Sequence, residues 1–499
     1  MGPSSTDPAK TGPARIGAAQ DAVAACRAAQ RGWGTVPVRD RVGVLGRFRR
    51  AVAADPARVL DALGDRPGRA PGEGMPLELI PLLEACAFLE REAPRLLAPR
   101  RLGARGRPAW LFGVRAEVLR EPLGVVLVVA PSNYPLFLPG SQALQALAAG
   151  NAVLVKPAPG CSAPTRAVAD LLREAGLPDG LLRVLGEDPA EARAAVAAGV
   201  DLLVLTGSAE TGRRVLADLA PRLTPAILEL SGNDPVFVLD GADLGVVADS
   251  LAYGLRLNGG ATCIAPRRAF VPRARLGALE ALLAARLPAI APVAVPEPVR
   301  RRLSALLDEA EAAGARPLAP RPDLGAAAVP PVVLSDASPA LGLLREDVFA
   351  PVLSLVPVDG VEDALAMDAL CPYALGASVF GPERESLALA RRLRAGSVCV
   401  NDVIVPTADP RLPFGGGGES GFGTTRGPEG LLAMTRPKAV SVRAGRLRPH
   451  LAPPRPDDAE LFRAALGASH AAGWRARAGH LARLVRLLSA RGRRAAGGQ

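Results

Sequence analysis

A chain of 499 residues, 49% of them hydrophobic, has the length for about two to four domains whose cores need no covalent staples. Its six cysteines (Cys26, Cys86, Cys161, Cys263, Cys371, Cys399) are scattered with no CxxC pair, which excludes a disulfide framework and a clustered thiolate metal site and points to a reducing, cytoplasmic setting. The net charge of +11 would suggest nucleic acid, but residues 441–499 supply +9 of it through twelve arginines against Asp457, Asp458 and Glu460, so the preceding 440 residues are nearly neutral at +2.

The start, MGPSSTDPAKTGPARIG, has no apolar core for a signal peptide, and the uncharged runs elsewhere are broken by Gly or Pro, so no membrane span is expected. Residues 14–65 place apolar side chains at helical spacing (Val23, Cys26, Trp33, then Val42, Leu45, Phe48, Val52) and read as two helices with a turn near GTVP. A Pro/Gly-rich break at 66–75 and further helix to about residue 99 lead into 110–130, which reads as strands. From 125 the pattern is α/β: strands at 125–130, 152–158, 181–186, 201–208 and 226–232 alternate with helices at 139–149, 164–175, 189–198 and 209–219. Short apolar strands alternating with helices imply a parallel sheet covered on both faces, with ligands bound off the strands' carboxyl ends. A second α/β stretch has strands at 235–240, 267–272, 328–334, 352–358, 376–381 and 397–401. Segments 113–125 and 410–443 stand apart and are expected to pair as a small extra sheet. In the tail, 474–494 puts Trp474, Leu481, Leu484, Val485 and Leu488 on one helical face among arginines. That helix either packs on the body or an oligomer partner, or touches an acidic surface, nucleic acid or a partner protein.

The three histidines, His450, His470 and His480, all lie in the tail, so the body has no imidazole for Cys-His or Ser-His-Asp catalysis, and no metal site is expected. Two readings of Cys263 in NGGATCIAPRR stand side by side: a cysteine that fell in a loop, or a nucleophile beside backbone N–H groups. Glu229, ending an apolar strand before LSGN, is either a surface carboxylate or a base that activates water. Gly207 and Ser208 in VLTGSAETG form either a plain turn or an anion-binding strand-to-helix junction. Lys156, one of only three lysines beside 57 arginines, either faces solvent or reaches a ribose or phosphate.

Eight segments in order, SNYP (132–135), LVKPA (154–158), LTGS (205–208), LELSGNDP (228–235), ATCIAP (261–266), REDVFAPVL (345–353), GSVCVN (396–401) and PFGGGGESGFG (413–423), resemble the signatures of the NAD(P)-dependent aldehyde dehydrogenase superfamily over roughly residues 20–443. The PFGGxGxSGxG and CIAP forms look closest to the class 3 and coniferyl-aldehyde-dehydrogenase-like branches, and the 34-residue interval from Glu229 to Cys263 also matches the family. The resemblance implies an α/β fold in which 14–112 and 126–231 form a Rossmann-type cofactor domain and 232–409 a catalytic domain. It also implies a bridging sheet from 113–125 and 410–443 in a homodimer or homotetramer, and leaves a basic helical extension over 444–499. It implies that Cys263 attacks an aldehyde, Asn133 holds the oxyanion and Glu229 activates the hydrolytic water. Lys156, Gly207, Ser208, Asp347 and Phe349 would contact NAD or NADP.

Several positions depart from the family. Ser132 stands where Trp is common before the catalytic Asn, Gln142 where many members have Lys, Ala261 where Gln is frequent, and Asp347 where Glu is usual. Pro159 stands where a carboxylate would repel a 2′-phosphate, so both NAD and NADP are expected to fit. Tyr134 and Phe137 follow Asn133 toward the entry tunnel of the family and suit an apolar chain or ring. Two other outcomes are compatible with such a chain: a scaffold acting through its basic tail, or a coenzyme-A-acylating semialdehyde dehydrogenase, against which Glu229 counts.

Overall fold

The computed structural model describes residues 13–496 except 67, 71, 339, 446 and 447. The described residues of 1–101 and 117–440 form one compact unit, and those of 102–116 and 441–499 a second.

In the first unit a six-stranded sheet runs Gly421–Phe422, Ala226–Glu229, Leu202–Thr206, Val125–Val129, Ala152–Lys156, Leu182–Val184. Every neighbouring pair is parallel except the first, where Gly421 lies opposite Glu229. Val125–Val128, Ala152–Val155 and Leu202–Leu205 are buried without alternation, because helices cover both faces of the sheet. The helices are Phe137–Ala149, Ser162–Glu174, Pro189–Ala198 and Ala209–Leu219, each close to its expected span. Trp33, in the N-terminal helix Pro13–Trp33, donates to the Leu147 carbonyl and ties that helix to the buried helix Phe137–Ala149.

The second α/β stretch folds as a seven-stranded sheet: Arg316–Pro317, Val332–Ser335, Val352–Val358, Pro266–Pro272, Asp234–Val238, Gly376–Phe380, Ser397–Val400. Alternate side chains divide between two cores. Phe237, Phe270 and Val356 pack on one face, and Val236, Ala269 and Leu355 on the other.

Two expectations are corrected. The strand expected over 328–334 splits at Pro330 and Pro331, which have no N–H to give a ladder. Ala328–Val329 pairs with Val293–Ala294, and Val332–Ser335 alone joins the large sheet. Strands Val114–Pro122 and Thr435–Arg443 do share a small sheet with Arg100–Leu102, but residues 417–433 go elsewhere. Gly417–Gly418 pairs with Tyr373–Ala374, Gly421–Phe422 edges the six-stranded sheet, and Gly427–Ala433 is helical. The glycines there give no period-2 pattern to read, and their close backbone approaches make the pairing: a Cβ on Gly421 would collide with the Leu228 carbonyl oxygen.

In the second unit, helices Asp458–His470 and Trp474–Ala496 form a hairpin. Arg483 pairs with Glu460, and Arg491 with Asp457 and Asp458, while Phe462, Leu466, Trp474, Leu481, Val485 and Leu488 are exposed.

Candidate active site

Glu229 owes its place to the end of its strand. Thr206 flanks it on the parallel side and Gly421 on the antiparallel side, and its carbonyl accepts from Gly207 N–H at 3.1 Å. The residue is 2% exposed. Burial raises its pKa, opposed by the positive charge of Arg426 and a hydrogen bond from Thr206.

Cys263 is placed by a loop with unusual backbone demands. Asn258, Gly259 and Gly260 all have positive φ, at 51°, 61° and 73°. A Cβ on Gly259 would meet the Gly68 Cα at 2.9 Å, and one on Gly260 the Ala350 carbonyl at 2.8 Å. The glycine pair before the cysteine is therefore needed because the loop turns left-handed against two other backbones. Arg267 pins it from below, donating to the carbonyls of Ala350 and Gly260. The Cys263 Sγ then lies 3.9 Å from Glu229 Oε1. Burial raises the thiol pKa well above its ordinary value, reinforced by Glu229 and Asp234 and opposed by Arg426.

Asn133 reaches the same loop, its amide Nδ2 donating to the Ala261 carbonyl at 3.0 Å. Beside it the Tyr134 hydroxyl meets Thr262 Oγ1 at 2.8 Å. Both loops are clamped by a residue that no motif marks. Arg69 donates to Asn258 Oδ1 and to the Asn133 carbonyl, each at 2.6 Å, and pairs at 2.7 Å with buried Glu78. Glu78 Oε2 in turn accepts from Leu136 and Phe137 N–H at the start of helix Phe137–Ala149, where a helix offers free donors. Gln142 donates to Thr206 Oγ1 at 3.2 Å and so buttresses the hydroxyl that serves Glu229.

Two cavities meet at these groups. A cleft of about 530 Å³ is lined by Asn133, Gly207, Ser208, Asp347 and Phe349 together with Cys263 and Glu229. A second, of about 220 Å³, is lined by Tyr134, Phe137, Phe414 and Arg426, again with Cys263 and Glu229. Seven of the eight anticipated residues therefore converge on the cleft; Lys156 ends its strand outside that lining, buried, with its pKa lowered by burial. Ser208 caps helix Ala209–Leu219, accepting from Thr211 N–H at 3.2 Å, so a helix N-terminus faces an anion approaching the cleft. Asp347 Oδ1 is buried with no hydrogen-bond partner among the described residues, an acceptor suited to a ribose hydroxyl. Burial pushes the Asp347 pKa up to about 6, with Arg267 and Ser231 opposing. Arg302 also lines the cleft and is paired with Glu346. The donor set fits a dinucleotide: a helix terminus and an arginine for phosphate, an orphan carboxylate oxygen for a hydroxyl, and Phe349 for a ring. Among the described residues no cluster of His, Cys, Asp and Glu could hold a metal, and no helix is long and apolar enough to cross a membrane.

Nothing in the spacing of Arg69 and Arg426 sets them apart in the sequence, since both are arginines among 57, whereas Thr206 lies inside the LTGS segment.

Comparison with known proteins agrees with this geometry. Residues 9–440 match the model of the aldehyde dehydrogenase family. A Mycolicibacterium smegmatis protein named for NADP-dependent succinate-semialdehyde oxidation is 33% identical over 447 residues, 86% of this chain and 85% of that one. The 4,4'-diapolycopene aldehyde oxidase of a Methylomonas species is 31% identical over 425 residues, 83% of this chain and 80% of its own. The crystal structure of a Mycobacterium tuberculosis aldehyde dehydrogenase complexed with NAD+ superposes with a TM-score of 0.79 at 27% identity, covering 87% of this chain and 92% of that one.

Proposed function

The chain belongs to the aldehyde dehydrogenase family and is an NAD(P)-dependent oxidoreductase that converts an aldehyde to its carboxylic acid; from that premise we propose how its residues divide the work. The Cys263 sulfur, its proton passed to Glu229 or to solvent, attacks the carbonyl carbon to form a thiohemiacetal alkoxide. Asn133 Nδ2 and the Cys263 N–H hold that oxygen as its charge grows, where a preorganised donor does most. A bound NAD or NADP would supply the hydride acceptor, and Lys156, Gly207, Ser208, Asp347 and Phe349 would hold it. As the C–H bond of the former aldehyde carbon gives up its hydride, the carbonyl re-forms as a thioester on Cys263. Glu229 then takes a proton from water, whose oxygen adds to the acyl carbon, and collapse expels the sulfur and frees the acid.

The observation that carries this reading is the joining of two cavities at Cys263 and Glu229, one with Ser208, Arg302 and Asp347 in its wall and the other with Tyr134, Phe137 and Phe414. The apolar walls of Tyr134, Phe137, Leu257 and Phe414 suit an aliphatic or aromatic aldehyde. Pro159 brings no carboxylate against a 2′-phosphate, which supports use of either cofactor. We further assign residues 14–112 and 126–231 to the cofactor, 232–409 to the nucleophile, and, of the segments 113–125 and 410–443, the strands Val114–Pro122 and Thr435–Arg443 to pairing of subunits in a cytoplasmic homodimer or homotetramer. The basic tail is left to an acidic surface or partner.

The test is absorbance of reduced nicotinamide as the protein meets a panel of aliphatic and aromatic aldehydes with NAD or NADP, beside a Cys263→Ala control. Turnover that disappears in the control is the expected result. Turnover that survives in Cys263→Ala removes the thiohemiacetal route.

A further inference from the structure

The wall of the smaller cavity is apolar along most of its length, yet it holds a guanidinium. Arg426 is 6% exposed. Its Nη1 donates to the Thr407 carbonyl at 2.6 Å, and its guanidinium carbon lies 4.1 Å from the Phe414 ring centre and 5.6 Å from that of Phe137. The Nε is sealed from solvent without a hydrogen-bond partner among the described residues, as is Glu229 Oε2. The two charges interact through space rather than by contact.

The backbone adds a second observation. Arg426 sits at φ 58° and ψ 173°, a region glycine tolerates and residues with a Cβ avoid. It is held there on both sides: Thr425 and Phe414 exchange backbone hydrogen bonds, Gly430 N–H donates to the Arg426 carbonyl, and Gly427 N–H donates to that of Pro410. A strained conformation kept at this residue points to its side chain having work in the cavity. The side-on fork that grips a carboxylate through Nε and a terminal nitrogen is closed here, because Nε is sealed from solvent. The charge of the guanidinium acts on its neighbours without such a grip.

Resting on the assignment of Cys263 as nucleophile and Glu229 as base, we propose that Arg426 is a positioning residue, the fixed positive charge that sustains Glu229 and the attacking sulfur of Cys263 as anions. Around Cys263 stand Glu229, Asp234, Asp347 and the Tyr134 phenol, none of which favours a thiolate, while Arg267 is committed to the carbonyls beneath the loop. Around Glu229 stand Thr206, Cys263 and Arg426. With no imidazole in the body and Gln142 neutral, Arg426 is, among the described residues, the cation that faces both groups.

The experiment measures alkylation of Cys263 by iodoacetamide against pH, read on the Cys263 peptide, in the full-length protein and in Arg426→Met and Arg426→Lys. Alkylation consumes neither aldehyde nor cofactor, so its outcome stands apart from whether oxidation occurs. Methionine suits an apolar wall and removes the charge; melting curves confirm the fold. In Arg426→Met the alkylation midpoint should move up by about one pH unit, with kcat at neutral pH down about tenfold and aldehyde KM within about threefold. Lysine should restore most of the midpoint and rate. A midpoint unchanged in folded Arg426→Met overturns the proposal, as does a rise in aldehyde KM with kcat intact, which would make Arg426 a substrate anchor. If Arg426→Met fails to fold, Arg426→Gln decides by the same midpoint.

Discussion

Glu229 is buried at a strand end with one oxygen 3.9 Å from the sulfur and the other without a hydrogen-bond partner among the described residues, and its surroundings set how it can act. Burial lifts its pKa, and a carboxylate whose pKa is raised toward neutrality is a stronger base for water. The same burial lifts the Cys263 thiol. Both groups work only after losing a proton, so kcat should climb as pH rises through the neutral range into the alkaline, and a pH–rate profile flat from pH 5 upward would contradict that. Glu229→Gln removes the base and leaves the nucleophile. Stopped-flow absorbance should then show about one equivalent of reduced cofactor per chain, followed by steady turnover slowed by about 10²–10⁴-fold. Asp347, lifted to about 6 by burial, makes a stability prediction. Its folded pKa exceeds the unfolded one, so its contribution is fully present below the unfolded value and is lost as pH rises through about 6. Asp347→Asn should therefore melt higher relative to the parent at pH 7.5 than at pH 4, and a constant difference across that range would refute it.

At the scale of elements, the site hangs on strand ends and one left-handed loop. Gly260→Ala would place a Cβ 2.8 Å from the Ala350 carbonyl at φ 73°. That should lower stability by roughly 2 kcal/mol in a denaturant titration and reduce turnover with it. The strands are legible in the sequence because buried parallel strands write themselves as short uninterrupted runs such as VVLVV and LLVLT between glycines and prolines. The glycine pair before Cys263 and the strand end at Glu229 leave two readings for each residue, and it is the ordered segments LELSGNDP and ATCIAP that single them out through the resemblance. Arg69 and Arg426 are not legible, because sequence spacing carries no information on which way a side chain turns. Residues 417–433 escape for another reason: their pairing comes from glycine backbones approaching other backbones, and no side-chain period records it.

For the whole molecule, the groups assigned to the chemistry run from Arg69 to Arg426, and the arginine-rich hairpin follows them in the chain. The hairpin satisfies part of its own charge, Arg491 on Asp457 and Asp458 and Arg483 on Glu460. Deleting residues 445–499 is expected to leave kcat within about twofold, because function resides in the site rather than in the extension. Loss of aldehyde oxidation in soluble truncated protein would give the tail a part in it. The larger cleft and the smaller chamber have a pharmacological consequence. They share Cys263 and Glu229 and no other lining residue among those described, so a reversible inhibitor shaped for the chamber should raise the apparent KM of the aldehyde alone, and a nucleotide analogue that of the cofactor alone. Two such compounds can occupy one molecule together, and joined by a short tether across the sulfur they would bind as a bivalent ligand, each half raising the effective concentration of the other.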